Sequence, residues 1–68
     1  QIFIDTDFIR LDAALKLCDA VGSGGIAKMI IQDGEVRVNG EVCVQRGKKL
    51  HGGDEFCFDG KYYEVVKK

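Results

Sequence analysis

The sequence predicts one α+β domain spanning residues 1–68, in which two consecutive helices precede a set of short strands. Two observations predict this fold class. Apolar residues recur every three to four positions from residue 11 to residue 31, which is typical of helices with one buried face. From residue 36 onward, apolar and polar residues alternate instead, as they do in half-buried strands. The length suits one domain with a small core.

The composition narrows the possible functions. Lysine and arginine together number 10 and aspartate and glutamate 11, so the formal net charge is −1 at pH 7. No apolar run approaches the roughly 20 residues that a membrane span needs, and the first residues do not have the pattern of a secretory signal. We therefore expect a cytoplasmic protein without a membrane partner, and we expect it to be a monomer.

The three cysteines and the single histidine indicate neither a disulfide framework nor a metal site. Cys18, Cys43 and Cys57 are widely and irregularly spaced, without a Cys-x-x-Cys pair. We expect three free thiols, with Cys18 buried on the first helix. His51 lies in a glycine-rich turn without a marked nucleophile, so we expect no enzymatic activity and no cofactor.

The N-terminal third is predicted to hold a short strand, Ile2–Ile4, and the first helix. The helix is expected to end at Val21 and Gly22, where Gly22 can take the left-handed conformation common at helix C-termini. The stripe that this helix buries consists of Leu11, Ala14, Leu15 and Cys18.

The second helix is predicted from about Gly25 to Asp33. Ser23 or Gly24 is expected to be its N-cap, and Gly34 is expected to close it with a positive φ angle. Because only a few residues separate the two helices, they should form a helix-turn-helix pair. The residues expected to face the core are Ile26, Ala27, Ile30 and Ile31.

A β-hairpin is predicted around Asn39-Gly40, between two Val-x-Val segments. A two-residue loop would place Val42 on the same face as Arg37. A three-residue loop, with Gly40 in the left-handed bulge position, would place Val42 on the face of Val36. We favour the three-residue loop because it puts the two valines on one face.

The rest of the sequence predicts two further strands. Residues 52–54 mark a turn, residues 56–58 a strand, and residues 59–60 a second hairpin turn. The last strand is predicted from Tyr62 to Val66, with residues 67–68 as a solvated tail.

Two segments are suited to binding phosphate, and the first is the start of the second helix. The first amides of a helix have no internal partner and carry partial positive charge. In the Ser23-Gly24-Gly25 turn, glycines also allow a phosphate to approach the backbone closely. Lys28 lies one turn further along the helix. The alternative is that these residues only form the turn between two helices.

The second segment is basic. Residues 45–51 contain Arg46, Lys48 and Lys49 and no acidic residue, and His51 can add a pH-dependent charge. We expect these cations to share one face of the molecule. The alternative is an ordinary solvated surface. The cations expected on this single face are Arg10, Lys28, Arg37, Arg46, Lys48 and Lys49.

These motifs, at their spacing, resemble the S-four type RNA-binding domain, the αL motif found in the small-subunit ribosomal protein of that name. In that family Arg-Leu-Asp opens a first helix and Ser-Arg-x-x-Ala opens a second. Ile-x-x-Gly-x-Val-x-Val-Asn-Gly and a Gly-Asp turn follow. The resemblance covers nearly all of the chain from Arg10 to Phe56. The matching residues are Arg10-Leu11-Asp12, Ser23, Ala27, Ile31, Gly34, Val36, Val38, Asn39, Gly40 and Gly53-Asp54.

The resemblance implies a fold and a function. The implied fold is α+β, with the two-helix αL motif packed on a small, mostly antiparallel sheet of about four or five short strands. The implied function is non-catalytic binding of structured RNA, in particular ribosomal RNA, with ribosomal or RNA-processing proteins as possible partners. Together with the charge pattern, it gives the expected RNA-binding residues as Arg10, Ser23, Gly24, Gly25, Lys28, Arg37, Asn39, Arg46, Lys48, Lys49 and His51.

One position departs from the family pattern. Gly24 stands where the family usually has an arginine. The Ser-Gly-Gly-x-Ala-Lys version is similar to a short stand-alone bacterial branch of the family, in which backbone amides and Lys28 are expected to replace that arginine. The alternative function is a protein–protein adaptor that keeps the fold and has lost RNA binding. The acidic net charge and the missing arginine favour this alternative.

Overall fold

Both helices form where the apolar residues recur at helical spacing. A computed structural model describes all 68 residues, with helix α1 at Leu11–Leu17 and helix α2 at Gly24–Gln32. Ser23 is the N-cap of α2, because its Oγ accepts a hydrogen bond from the Ile26 N–H at 3.3 Å. Gly34 closes α2 with a φ of 78°, as predicted. Neither helix has the length and apolarity needed to cross a lipid bilayer.

Short strands make up the rest of the regular structure. In chain order they are β1 Ile2–Ile4, β2 Ile9–Arg10, β3 Val36–Val38, β4 Glu41–Val42, β5 Lys49–Leu50, β6 Glu55–Phe58 and β7 Lys61–Lys67. Five of them form one sheet in the order β1-β7-β6-β3-β4, while β2 and β5 form a separate antiparallel ribbon. In the five-stranded sheet only β1 and β7 are parallel. The predicted α+β class with a mostly antiparallel sheet is confirmed.

One apolar core lies between the helices and the inner face of the five-stranded sheet. Burial of apolar surface is the main source of stability in such a domain. Leu50 of the ribbon is fully buried in the same core, so the ribbon is fixed to the helices. The buried residues are Ile2, Ile4, Leu11, Ala14, Leu15, Val21, Ala27, Ile30, Ile31, Val36, Val38, Leu50, Phe56 and Val65.

The hairpin between β3 and β4 has a two-residue loop, so the prediction of a three-residue loop is wrong. Arg37 pairs with Val42, and only Asn39 and Gly40 lie between the two strands. Their φ angles are 51° and 86°, which is typical of the type I′ turn, whose twist matches that of the paired strands. Val42 is consequently 51% exposed on the face of Arg37. The favourable backbone geometry of the turn therefore contributes more to stability than burial of the Val42 side chain would.

Helix α1 ends earlier than predicted, because Asp19 rather than Gly22 takes the left-handed conformation. Asp19 has a φ of 60°, and its N–H donates to the carbonyl oxygen of Lys16 at 3.1 Å. Aspartate is one of the few residues besides glycine that adopt this conformation. Cys18 therefore becomes the C-cap and is half-buried, not buried on the helix as predicted.

Two further side chains differ from the predictions. Ile26 is 44% exposed, because it lies in the first turn of α2 before the first buried residue, Ala27. Helical spacing does not show how far along a helix the neighbouring elements reach. Lys67 belongs to β7 and is paired with Ile4, and its Nζ lies 2.8 Å from Asp7 Oδ1. It is therefore not part of a solvated tail.

Candidate nucleic-acid interface

The basic segment before β5, residues 45–48, lies across the N-terminus of α1, and we call it the basic loop. The Leu11 N–H donates to the Lys48 carbonyl oxygen at 2.9 Å, and the Asp12 N–H donates to the Arg46 carbonyl oxygen at 3.1 Å. These bonds use amides that the start of a helix leaves without helical acceptors. The backbone thus brings the basic loop to the end of the molecule that carries Arg10, the residue before α1.

Arg10 is held in place from two sides. Its Nη2 lies 3.2 Å from Asp12 Oδ2, and the other oxygen of Asp12 accepts the Ala13 N–H at 2.8 Å. The guanidinium also lies alongside the basic loop, where a Cβ on Gly47 would be 3.6 Å from Nη2. An exposed ion pair of this kind contributes little stability. Its effect is to orient Arg10 rather than to hold the fold together.

A shallow groove of about 280 Å³ runs between α1 and the start of α2. The amides of Gly24 and Gly25 open α2 and have no helical acceptor, and the space around Gly24 is open. These amides carry the partial positive charge of the helix start, and the groove adds two cationic side chains. This combination suits a bound anion. The groove is lined by Arg10, Asp12, Ala13, Lys16 and Gly24.

Lys16 is a groove residue that the sequence reasoning missed. The apolar stripe placed it on the solvent side of α1, and that side borders the start of α2. Its position four residues after Asp12 could have indicated this, because residues at that spacing lie on the same side of a helix. Lys28 follows Gly24 by the same spacing, so it lies one turn further along α2 on the same side, and it is exposed.

The β2–β5 ribbon places a second set of residues next to Arg10. Arg10 pairs with Lys49, and Ile9 pairs with Leu50. Because side chains alternate along a strand, Ile9 and Leu50 turn toward the core while Arg10 and Lys49 turn outward. Phe8 shares this outer side, with its ring centroid 4.8 Å from Lys49 Nζ. Strands of two residues carry no periodic signal, so the sequence did not predict this ribbon.

His51 lies beside Phe8, with 6.3 Å between the ring centroids. Asp54 Oδ2 accepts the backbone N–H of His51 at 2.7 Å and lies 3.8 Å from its Nδ1. The backbone hydrogen bond from His51 is the largest cause of a lowered pKa of the Asp54 carboxyl; partial burial opposes it, and the amide of Asn39 reinforces it. The carboxylate of Asp54 is therefore favoured, and it fixes the turn that carries His51.

Asn39 is bonded within the fold. Its Nδ2 donates to Asp54 Oδ1 at 3.2 Å, and its Oδ1 accepts the Glu55 N–H at 3.0 Å. The side chain thus fastens the β3–β4 hairpin to the turn that precedes β6. The geometry gives Asn39 a structural role, and an RNA contact by this residue stays a prediction.

Arg37 lies on the other face of the sheet. Its neighbours Val36 and Val38 are buried against the helices, so the side chain of Arg37 points to the outer face. There its Nη1 lies 3.5 Å from the carbonyl oxygen of Gly40. The prediction that all six cations share one face is wrong at Arg37. The alternation of side chains along the strand already indicated that Arg37 lies opposite the two buried valines. The prediction gave more weight to its closeness to the hairpin turn.

The remaining groups form what we call the cationic surface. They come from four places: the groove, the basic loop, the outer side of the ribbon and the first turns of α2. Asp12 is the one acidic residue that lines the groove. We assign to it Arg10, Lys16, Arg46, Lys48, Lys49 and His51, the amides of Gly24 and Gly25 beyond the Ser23 cap, and Lys28. Lys48 lines a second groove beside the β3–β4 hairpin, together with Glu41 and Val42.

Comparison with known proteins gives two matches. A family model described as S4 domain matches residues 2–66. The chain is also similar to the probable ribosome maturation protein RlbA of Bacillus subtilis (strain 168). The two sequences are 46% identical over 59 residues, which is 87% of this chain and 83% of the relative. Both matches include the helices and the groove between them.

Proposed function

This chain belongs to the S4 domain family, and from that membership we propose that it is a non-catalytic RNA-binding protein of the cytoplasm. Its target is structured RNA. Ribosomal RNA is the first candidate, because the relative from Bacillus subtilis is named a probable ribosome maturation protein. Ribosomal proteins or RNA-processing proteins are the partners to expect around such a target.

The observation that carries the proposal is the cationic surface itself. The net charge of the chain is −1, yet the groove, the basic loop and the ribbon, which carry these cations, all adjoin the start of α1. The distribution of charge, rather than its sum, determines the field that a polyanion meets. Cations and free amides together are the groups that bind a phosphate backbone.

The groove suggests how the arginine missing at position 24 is replaced. The open backbone at Gly24 lets a phosphate approach the free amides of Gly24 and Gly25. Lys16 and Arg10 line the same groove and supply the charge. The basic loop and Lys49 then contact the neighbouring phosphates. Each of these contacts reads the backbone and not the bases, so they position the RNA without specifying its sequence.

Two experiments test this function. Fluorescence anisotropy with a labelled RNA hairpin should show binding at low salt that weakens as salt rises, since counterion release dominates such contacts. Crosslinking in cells followed by RNA sequencing should enrich ribosomal RNA fragments. Absence of hairpin binding at low salt would contradict the binding of structured RNA. Enrichment of messenger RNA alone would contradict ribosomal RNA as the target.

A protein–protein adaptor is the second candidate, and the outer face of the sheet favours it. Phe3, Val42 and Tyr62 are 53%, 51% and 80% exposed on that face. Apolar and aromatic side chains of this kind are enriched in protein interfaces. If the folded protein binds no structured RNA at low salt, the adaptor function becomes the better account.

A further inference from the structure

We propose that Phe8 and His51 form a stacking site for one unpaired nucleobase of the bound RNA. The inference rests on the proposed function, and it adds a preference that the phosphate contacts cannot supply. Phosphate contacts do not distinguish paired from unpaired nucleotides, whereas an aromatic side chain stacks only on a base that is free to leave its helix. The site would therefore direct the protein to loops, bulges or ends.

Phe8 is exposed although its backbone is fixed. The neighbouring Ile9 packs against the core and pairs with Leu50 in the ribbon. The carbonyl oxygen of Phe8 accepts a hydrogen bond from Thr6 Oγ1 at 2.9 Å. The residue nonetheless remains 38% exposed, on the outer side of the ribbon. A ring held in this way can receive a flat ligand without losing much conformational freedom.

His51 makes the second wall of the site. Its ring is tilted by 52° to that of Phe8, with 6.3 Å between the centroids, so the two rings meet at an angle and form a corner. The turn that carries His51 is fixed by the Asp54 carboxylate through the backbone N–H at 2.7 Å. Histidine and phenylalanine are both residues on which RNA bases stack.

Lys49 connects this corner to the phosphate contacts. In the free protein its Nζ lies 4.8 Å from the centroid of the Phe8 ring, so the ammonium covers one face of that ring. Stacking of a base on an aromatic ring is stronger than an exposed cation–π contact. A base can therefore displace the ammonium of Lys49, which is then free to bind the phosphate of the same nucleotide beside Arg10.

The test compares two RNA probes with the same number of phosphates. One is a hairpin with 2-aminopurine at an unpaired loop position, and the other is a blunt, fully paired duplex. Phe8→Leu should weaken hairpin binding about tenfold and change duplex binding little, because stacking on one base accounts for the difference. Phe8→Tyr keeps the ring and should bind like the wild type. The fluorescence of 2-aminopurine should change when the wild type or Phe8→Tyr binds, but not when Phe8→Leu binds.

Phe3→Leu is the matched control. Phe3 is also an exposed phenylalanine near the N-terminus, but it lies on the outer face of the sheet. Its replacement should leave binding to both probes unchanged. His51→Gln is a second variant, since it keeps the backbone bond to Asp54 and removes the ring, and it should lose part of the preference for the hairpin. If Phe8→Leu does not fold, the comparison of His51→Gln with the wild type tests the stacking site instead.

The outcomes separate this inference from the proposed function. If the wild type binds both probes and Phe8→Leu keeps the full affinity for the hairpin, or weakens both probes equally, stacking is excluded while RNA binding stands. If the wild type binds neither probe at low salt, the proposed function fails and the stacking site fails with it. A selective loss for the hairpin supports the inference.

Discussion

Arg10 and Lys49 lie directly opposite each other on the antiparallel β2–β5 ribbon, so two positive charges occupy paired positions. Like charges placed opposite each other on neighbouring strands destabilise a sheet. Asp12, 3.2 Å from Arg10, relieves part of this repulsion. A bound anion would neutralise the two charges of Arg10 and Lys49. The pair is therefore consistent with a binding site, because functional sites commonly lower the stability of the fold that carries them.

This pairing predicts opposite effects on stability and on binding. Lys49→Gln should leave the free energy of unfolding unchanged or raise it by a few tenths of a kcal/mol, because it removes the repulsion. The same change should weaken RNA binding and lower the slope of log affinity against log salt by about 0.7–0.9. Urea unfolding and anisotropy at several salt concentrations measure the two effects. Reduced stability with unchanged RNA affinity would instead assign Lys49 a structural role over the Phe8 ring.

The open groove predicts a gain of function at Gly24. No heavy atom lies within 4 Å of the position a Cβ would take, and φ is not in the left-handed region. Gly24→Arg should therefore fold as well as the wild type, bind RNA more tightly and steepen the salt slope by about 0.7–0.9. Gly22→Arg is the control, since Gly22 is equally open but lies before the helix. An equal gain at Gly22 would mean that added charge alone improves binding.

Gly34 and Gly40 should be costly to replace. Their φ angles are 78° and 86°, a region that a residue with a Cβ disfavours. Gly34→Ala and Gly40→Ala should each lower the free energy of unfolding by about 1 kcal/mol, as measured in urea. Gly22→Ala, at a glycine without positive φ, serves as the reference. Equal stability of all three variants and the wild type would contradict the assigned turns.

Asp54 predicts a dependence of stability on pH. Its pKa is lowered in the fold, chiefly by the His51 N–H, so its carboxylate stabilises the folded state above the ordinary aspartate pKa of about 3.9. That contribution is lost as the pH falls through the lowered value. Asp54→Ala should lower the free energy of unfolding at pH 7 by about 1–3 kcal/mol. The difference from the wild type should shrink below pH 4, and a constant difference down to pH 2 would argue against this origin.

The cap of the second helix and the positive φ angles of Gly34 and Gly40 were predictable because they depend on local chemistry. The Ser23 cap needs only its own hydroxyl and the next turn of backbone. The positive φ of Gly34 needs only the end of a helix. In the same way, the alternation of Val36 and Val38 identified a strand with one buried face.

Several of the parts that were wrong depend on neighbours distant in sequence. Whether Val42 is buried depends on which loop joins β3 and β4, and the twist of the strands selected the shorter loop. Lys16 enters the site only because α2 starts beside it. Phe8 and Lys49 meet through a ribbon of two-residue strands, which no periodic pattern reveals.

We expect phosphate contacts on the cationic surface to hold the RNA. The slope of log affinity against log salt tests this expectation, measured for the wild type and two double variants that are each shown to be folded. Lys48→Ala with Lys49→Ala removes two cations from the cationic surface. Arg37→Ala with Lys61→Ala removes two cations elsewhere, one from the outer face of the sheet and one from the start of β7.

We expect the first variant to bind more weakly, with a slope flatter by roughly 1.5 units, while the control keeps the slope of the wild type. A folded Lys48→Ala, Lys49→Ala variant with unchanged affinity and unchanged slope would mean that these cations do not hold the RNA.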